Sequence, residues 1–422
     1  MVILEGMPAG VKVDSTLLSR ELSRRRAGYG RGPRMAIEAD SFRIVAGVRH
    51  GRSLGSPISM LIENTEFPEK WARTMSPDPI PEAKESQKKL TQPRPGHADL
   101  VGMLKYGFDD ARNVLERSSA RETAARVAAG AVCKSFLAEV GIRVVSHTVA
   151  IGDVRARLRP LEPEDFKVVE SDPLRCADPG ASEEMKRLID EARSQGDTLG
   201  GVFEVVAMGV PPGLGSYVHW DRRLDARLAA AVMSINAVKG VEIGEAFQQA
   251  ASLGSRAHDE IFWRDNGGSG TAPRGTNQSV DPTSPLVRRS NLAGGLEGGM
   301  TTGEPLVVRG AMKPLSSLGK PLSTVDLATG EAATAFRQRT DTCAVPAAGV
   351  VAEAMVAFVL ADAVLEKFGG DTLDEVKQRV EGYRAAVARR ITAARAGSAS
   401  GGQGDDLPLP SAARPQRERE AE

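Results

Sequence analysis

Aromatic rings are in short supply in this sequence. Phe, Trp and Tyr make up 4% of 422 residues, so the core must be built from Ala, Val, Leu and Ile. Few stacking platforms are left for single-stranded nucleic acid. Cysteine is scarcer still, and Cys133, Cys176 and Cys343 form an odd, widely spaced set. That excludes a disulfide framework and a Cys-x-x-Cys metal knuckle, and points to a reducing, cytoplasmic setting. Neither sign of charge is in excess, with Lys+Arg and Asp+Glu both at 55. Bulk electrostatic binding to nucleic acid or to an anionic membrane is therefore not expected. Met1–Gly6 shows no basic region followed by an apolar stretch, so no signal peptide is visible. The most apolar segment, 344–365, is interrupted by Glu353 and Asp362 and reads as a buried helix.

What is present describes a globular chain, 41% hydrophobic and 26% charged. There is no internal repeat. From Ala396 the sequence turns to Gly, Ser, Pro and charge, a composition that cannot bury enough apolar area to offset ordering, so 396–422 is predicted to be a disordered tail. A polar stretch over 266–284 is predicted to be a long loop within the single domain 1–395. Helix signals are plain. Asp14 or Ser15 caps a helix through Arg26. Ser119-Ala-Arg-Glu122 reads as a capping box opening a helix to Val140. Further helices are predicted from Ser182 to about Gly196, from Leu224 to Val238, from Val350 to Phe368, and from Asp371 or Thr372 to about Arg395. Strands are predicted at 42–48, 58–62, 143–151, 202–210 and 306–312, on β-branched enrichment. Strands group between helices rather than alternating with them, which favours α+β with antiparallel sheets.

Five polar clusters are candidates for chemistry. Arg24-Arg25-Arg26-Ala-Gly-Tyr-Gly-Arg31-Gly-Pro-Arg34 offers five guanidiniums for bidentate anion contacts. Cations at a helix C-terminus explain it equally well. Arg94-Pro95-Gly96-His97-Ala98-Asp99 exposes an imidazole beside a guanidinium on a loop fixed by Pro and Gly, a proton shuttle near neutral pH. A lone loop histidine is more often without a role. Arg117-Ser118-Ser119-Ala120-Arg121-Glu122 places hydroxyls and free N–H groups at a helix start between arginines, suited to phosphate or to an ordinary cap. Lys313-Pro314-Leu315-Ser316-Ser317 and Arg339-Thr340-Asp341-Thr342-Cys343 are weak taken singly. The loop Gly294-Gly295-Leu-Glu-Gly298-Gly299 lacks the spacing of a dinucleotide or P-loop motif. No metal spacing is present. Together the clusters describe an Arg-rich, Gly-lined site for a polyanion, with His97 and Asp341 as acid/base candidates.

In order along the chain, these segments resemble the chorismate synthase family. The resemblance rests on Gly6-Met-Pro-Ala-Gly10, RRRAGYGR, IENTE, RPGHAD, MLKYGFDDAR, RSSARETAARVAAGA, SINAVKGVEIG, NLAGGLEGGM, MKPLSS and RTDTCAVPAAGVVAEAM, and covers roughly residues 2–390. It implies a shikimate-pathway lyase that converts 5-enolpyruvylshikimate 3-phosphate to chorismate by anti 1,4-elimination and requires reduced FMN. It also implies a β-α-β sandwich with helices between antiparallel sheets, assembled as a homotetramer. Carried over by motif, the FMN contacts are Arg117, Ser118, Ser119, Asn236, Ala237, Gly298, Lys313, Pro314, Leu315, Ser316, Ser317 and Arg339. Arg25 and Arg31 match NADP positions, with NADPH the possible flavin reductant. Arg25, Arg31, Arg34 and Arg121 suit the substrate's phosphate and carboxylates. His97 matches the family histidine that protonates reduced flavin, and Asp341 the aspartate that helps take up the substrate proton.

The family opens with a strand and a Gly-Glu-Ser-His-Gly loop, whose histidine protonates the departing phosphate. The sequence as given starts without them, and none of His50, His97, His147, His219 and His258 lies in such a motif. Two readings stay open at this point. One is a start assigned at an internal Met; the other is an N-terminally truncated, catalytically impaired relative that still binds FMN.

Overall fold

Every strand pairing in the two main sheets is antiparallel, as the grouping of strands in the sequence predicts. The computed structural model describes residues 1–32, 40–64, 71–79, 89–157, 159–161, 164–264 and 284–399. A three-stranded sheet holds β1 (Val2–Leu4), β2 (Phe42–Ala46) and β3 (Ile58–Ile62) in the order β1-β3-β2. A five-stranded sheet holds β4 (Arg143–Ile151), β5 (Val154–Arg155), β6 (Gly201–Met208), β7 (Val238–Ile243) and β8 (Leu306–Met312) in the order β5-β4-β6-β8-β7. Continuous Val and Ala along β4 and β6 fit a sheet covered by helices. Opposed pairs such as Val144 with Ala207 and Val205 with Val308 set the register.

Helices fill the space between the sheets. They are α1 (Ser15–Arg26), α2 (Thr123–Glu139), α3 (Pro179–Ser194), α4 (Leu224–Met233), α5 (Val345–Phe368) and α6 (Leu373–Ala399). Helix α5 lies on β4 and β6, α2 packs on α5 and reaches β1, and α1 packs on α2. This is the expected β-α-β sandwich. Small residues let the layers close. A Cβ on Gly130 of α2 would lie 2.3 Å from the Ala354 Cβ of α5. Helix α5 is long and apolar enough to cross a membrane but is mostly buried within the fold, so it is a core helix. The cysteines are free and buried, and burial pushes Cys133 up to about 12 and Cys343 up to about 11.

Several boundaries differ from expectation. The predicted helix 224–238 stops at Met233, and Val238 opens β7 instead. Ala237 between them takes φ +65, which no helix continues. Helix α3 starts at Pro179, capped by Asp178, whose side chain accepts from the Gly180 and Ala181 amides. Ser182, the expected start, is buried and donates to Asp172 at 2.7 Å. Ser119 caps only a 3-10 turn over Ala120–Glu122, and Glu122 pairs with Arg126 rather than closing a box. Pro346 places the start of α5 near Val345, not Val350. Thr372 and Glu375 form the capping box of α6, with Glu375 accepting from the Asp371 and Thr372 amides. Helix α6 runs to Ala399, past the expected end at Arg395. The remainder of the predicted tail, 400–422, and most of the polar stretch, 266–283, lie outside the described residues.

One charged group ties the layers together. Glu353 of α5 is fully buried and accepts from Arg24 of α1 at 2.8 Å, Lys134 of α2 at 2.6 Å and the Ser146 amide of β4 at 2.8 Å. Arg175 adds a contact at 3.2 Å. Burial alone would raise this carboxyl, but Arg24, Lys134 and Arg175 hold it well below the ordinary carboxylate range. A depressed folded-state value means the contribution is present above the ordinary titration range and is lost as pH falls through the depressed value. Glu353→Ala should lower the unfolding free energy by about 3–5 kcal/mol, the cost of leaving buried partner charges uncompensated. Urea denaturation measures it, and an unchanged midpoint would show that the cations find other partners.

Candidate active site

The loop 94–98 runs into a helix over Asp99–Tyr106 that the sequence reading had not picked out. Arg94 is buried and its guanidinium grips Asp99 at 2.8 and 3.0 Å. His97 Nδ1 lies 2.6 Å from Asp99 Oδ1. A further Arg94 nitrogen donates to Ser317 Oγ at 2.7 Å, and Lys313 Nζ donates to the Gly96 carbonyl at 2.5 Å. The histidine loop and the segment after β8 are thus held against each other. Leu315 and Ser316 lie inside this contact, and Pro314 is exposed.

Asp341 meets the arginine loop that follows α1. Its Oδ1 accepts from the Gly32 amide at 2.6 Å and its Oδ2 pairs with Arg31 at 2.8 Å. Gly32 is needed here, because a Cβ would lie 2.6 Å from the Thr340 carbonyl oxygen. Arg25 pairs with buried Asp40 at 2.6 Å, and Arg121 stands 3.7 Å from the same carboxylate. Arg24 in the same run of arginines points instead to Glu353, so it is structural. Arg339 is exposed just before Asp341, and Arg117 is exposed in the last turn of a helix over Arg112–Ser118. Arg34 lies outside the described residues.

The remaining predicted contacts gather around the turn before β7. The Lys313 amide donates to the Ala237 carbonyl at 3.0 Å. Arg126, one turn into α2, donates to Ser234 Oγ at 2.6 Å, which brings the 117–122 segment to this turn. Ser118 Oγ and Asn236 Oδ1 are buried with no hydrogen-bond partner among the described residues. Buried polar groups are rarely left so, and a ligand that supplies partners explains them. Gly298 forms the tip of a hairpin, Leu296–Glu297 with Met300–Thr301. That hairpin is tied to Leu224 and Gly215.

Sequence reasoning missed the strap that joins these parts. Thr198 Oγ1 donates to the Leu315 carbonyl at 2.8 Å and the Leu199 amide to the Thr342 carbonyl at 2.8 Å. The strap works mostly through backbone atoms, which leave no side-chain signature. Asp99 was visible in its motif, but its role emerges only once Arg94 folds back on it. Burial raises the Asp99 carboxyl less than hydrogen bonds from His97 and Arg94 lower it, leaving it well below the ordinary range. A cavity of about 290 Å³ lined by His147, Arg157, Arg159 and Asp178 contains none of the predicted residues.

Known proteins resemble this chain over nearly its whole length. The family model for chorismate synthase matches residues 1–365. A chorismate synthase of Parafrankia sp. (strain EAN1pec) is 57% identical over 393 residues, 92% of this chain and 95% of that protein. That of Thermobifida fusca (strain YX) is 55% identical over 390 residues, 91% of this chain and 94% of the relative. A crystal structure of a chorismate synthase aligns with a TM-score of 0.69 at 42% identity, covering 92% of this chain and 94% of that one.

Proposed function

We infer the workings of this site from one premise: the chain belongs to the chorismate synthase family, the lyases that turn 5-enolpyruvylshikimate 3-phosphate into chorismate and phosphate. The convergence of the His97, Lys313–Ser317, Asp341 and arginine clusters carries the assignment of roles, and favours the active enzyme over an impaired relative. Arg25, Arg31 and Arg121, with Arg34, bind the substrate's phosphate and carboxylates. Their charge stabilises the phosphate as its C–O bond breaks, where an uncompensated dianion would be a poor leaving group. His97 would deliver a proton from its imidazole to the reduced flavin, not to the departing phosphate. Asp341, oriented by the Gly32 amide and Arg31, helps take up the proton that leaves the substrate carbon.

Reduced FMN is the cofactor in this reading and supplies the electron-rich partner that an unactivated C–H requires. Ser118 and Asn236 would hold it through the atoms that lack partners among the described residues, with Arg117, Ser119, Ala237, Lys313, Ser316, Ser317 and Arg339 around it. Arg25 and Arg31 are also the candidate NADPH contacts. The chain works in the cytoplasm as a homotetramer. Exposed Leu100, Val101, Leu104 and Tyr106 on one short helix support such burial between copies.

Titrating FMN into the protein with 5-enolpyruvylshikimate 3-phosphate present should perturb the flavin spectrum and tighten binding relative to FMN alone. An unperturbed spectrum with substrate present would sink the cofactor assignment. Asp341→Asn should leave flavin affinity nearly intact while slowing turnover by about 10²- to 10⁴-fold, the usual general acid–base contribution. Unchanged turnover in that variant would make Asp341 a structural ligand of Gly32 and Arg31.

A further inference from the structure

We propose that Asp99 is the positioning residue for His97: it fixes which ring nitrogen carries the proton and leaves the other, Nε2, as the one that exchanges it. The inference rests on the role given to His97 above and adds the group that makes that role possible.

The side chain of Asp99 is fully buried at the start of the Asp99–Tyr106 helix, and burying a carboxylate is costly unless its lone pairs are filled. They are filled from two directions. Arg94 supplies its backbone amide at 3.1 Å and two guanidinium nitrogens at 2.8 and 3.0 Å. His97 Nδ1 supplies the shortest of the contacts, 2.6 Å. A purely structural carboxylate at a helix start would be satisfied by the arginine. The additional short contact to an imidazole that remains partly exposed is what a helix cap does not need.

The direction of the hydrogen bond follows from the partners. Asp99 is ionised and can only accept, so His97 Nδ1 must be the donor. One Arg94 nitrogen lies 3.0 Å from Nδ1 and 3.2 Å from Nε2, so it sits against the ring rather than in line with either lone pair. Nε2 is therefore the nitrogen that gives and takes protons. The same guanidinium reaches Ser317 Oγ at 2.7 Å and the Gln338 side chain at 3.2 Å. Arg94 stacks on Phe336 at 4.8 Å, which fixes its plane. Asp99 thus sets the ring relative to the Lys313–Ser317 segment as well as its tautomer. A carboxylate behind an imidazole is a general device for holding one tautomer and stabilising the charged ring.

Two measurements test this. In the unaltered protein, ¹⁵N-resolved imidazole spectra of His97 should show the Nδ1–H tautomer, and the Nε2–H tautomer would overturn the proposal without any variant being made. The second is a cycle of Asp99→Asn, His97→Ala and the double variant, scored by turnover and by flavin affinity. Asp99→Asn should slow turnover about 10- to 100-fold, the range seen when the carboxylate partner of a metal-bound histidine is removed. Flavin affinity should stay within about twofold, and the double variant should be no slower than His97→Ala alone, as expected for groups that act as a unit. Losses that multiply in the double variant would make Asp99 structural, and wild-type turnover in Asp99→Asn with an impaired His97→Ala would dismiss Asp99 alone. Wild-type turnover in His97→Ala would remove the role of His97 itself, and the proposal with it.

Discussion

The buried carboxylate of Glu353 is the contact on which the site's geometry depends. It is the fully buried charge of a largely apolar helix, and it holds α1 through Arg24, α2 through Lys134 and β4 through Ser146. The last turn of α1 carries Arg25 and Arg26, and its following loop carries Arg31 and Gly32. Where Arg24 is fixed, the next guanidiniums are aimed, and Asp341 finds its partners. A charge at the centre of the sandwich costs desolvation, which its cations repay. In return, layers that have mostly small side chains to interlock acquire a unique relative position.

Around that frame, the charged groups of the site are held by partners of opposite sign before any ligand arrives. Arg25 leans on Asp40, Arg31 on Asp341, and Arg94 on Asp99. Such pairing orients guanidiniums while keeping the cost of clustering cations low. It also gives each carboxylate a defined place, and two of the three, Asp341 and Asp99, adjoin the groups assigned to proton movement. The neutral atoms Ser118 Oγ and Asn236 Oδ1 are buried without a hydrogen-bond partner among the described residues. Pre-organisation of charge with a few polar atoms left open is what a site for a flat, polyanionic cofactor requires.

Much of this was legible in the sequence, and the reasons differ by feature. The five main strands and the buried helix followed from β-branched runs and apolar patterning. The polar clusters stood out because Gly, Pro and Arg in short order are unusual, and their family resemblance ordered them. Local signals failed where two residues competed for one job. Ser182 resembled a cap, but Asp178 ahead of Pro179 won it. The run 224–238 was read as one helix because nothing in Ser-Ile-Asn-Ala announces that Ala237 will turn left-handed. What the sequence withheld was long-range pairing. That Arg24 serves Glu353 while Arg25 serves Asp40, and that Thr198 and Leu199 strap two loops together, depends on layers brought together only by the fold.

The most direct test of the account is chemical. The purified protein, incubated without oxygen with reduced FMN and 5-enolpyruvylshikimate 3-phosphate, should release chorismate and phosphate in equal amounts. Omitting reduced FMN should abolish both. A folded, FMN-saturated protein that releases neither would contradict the claim that these clusters form a working elimination site.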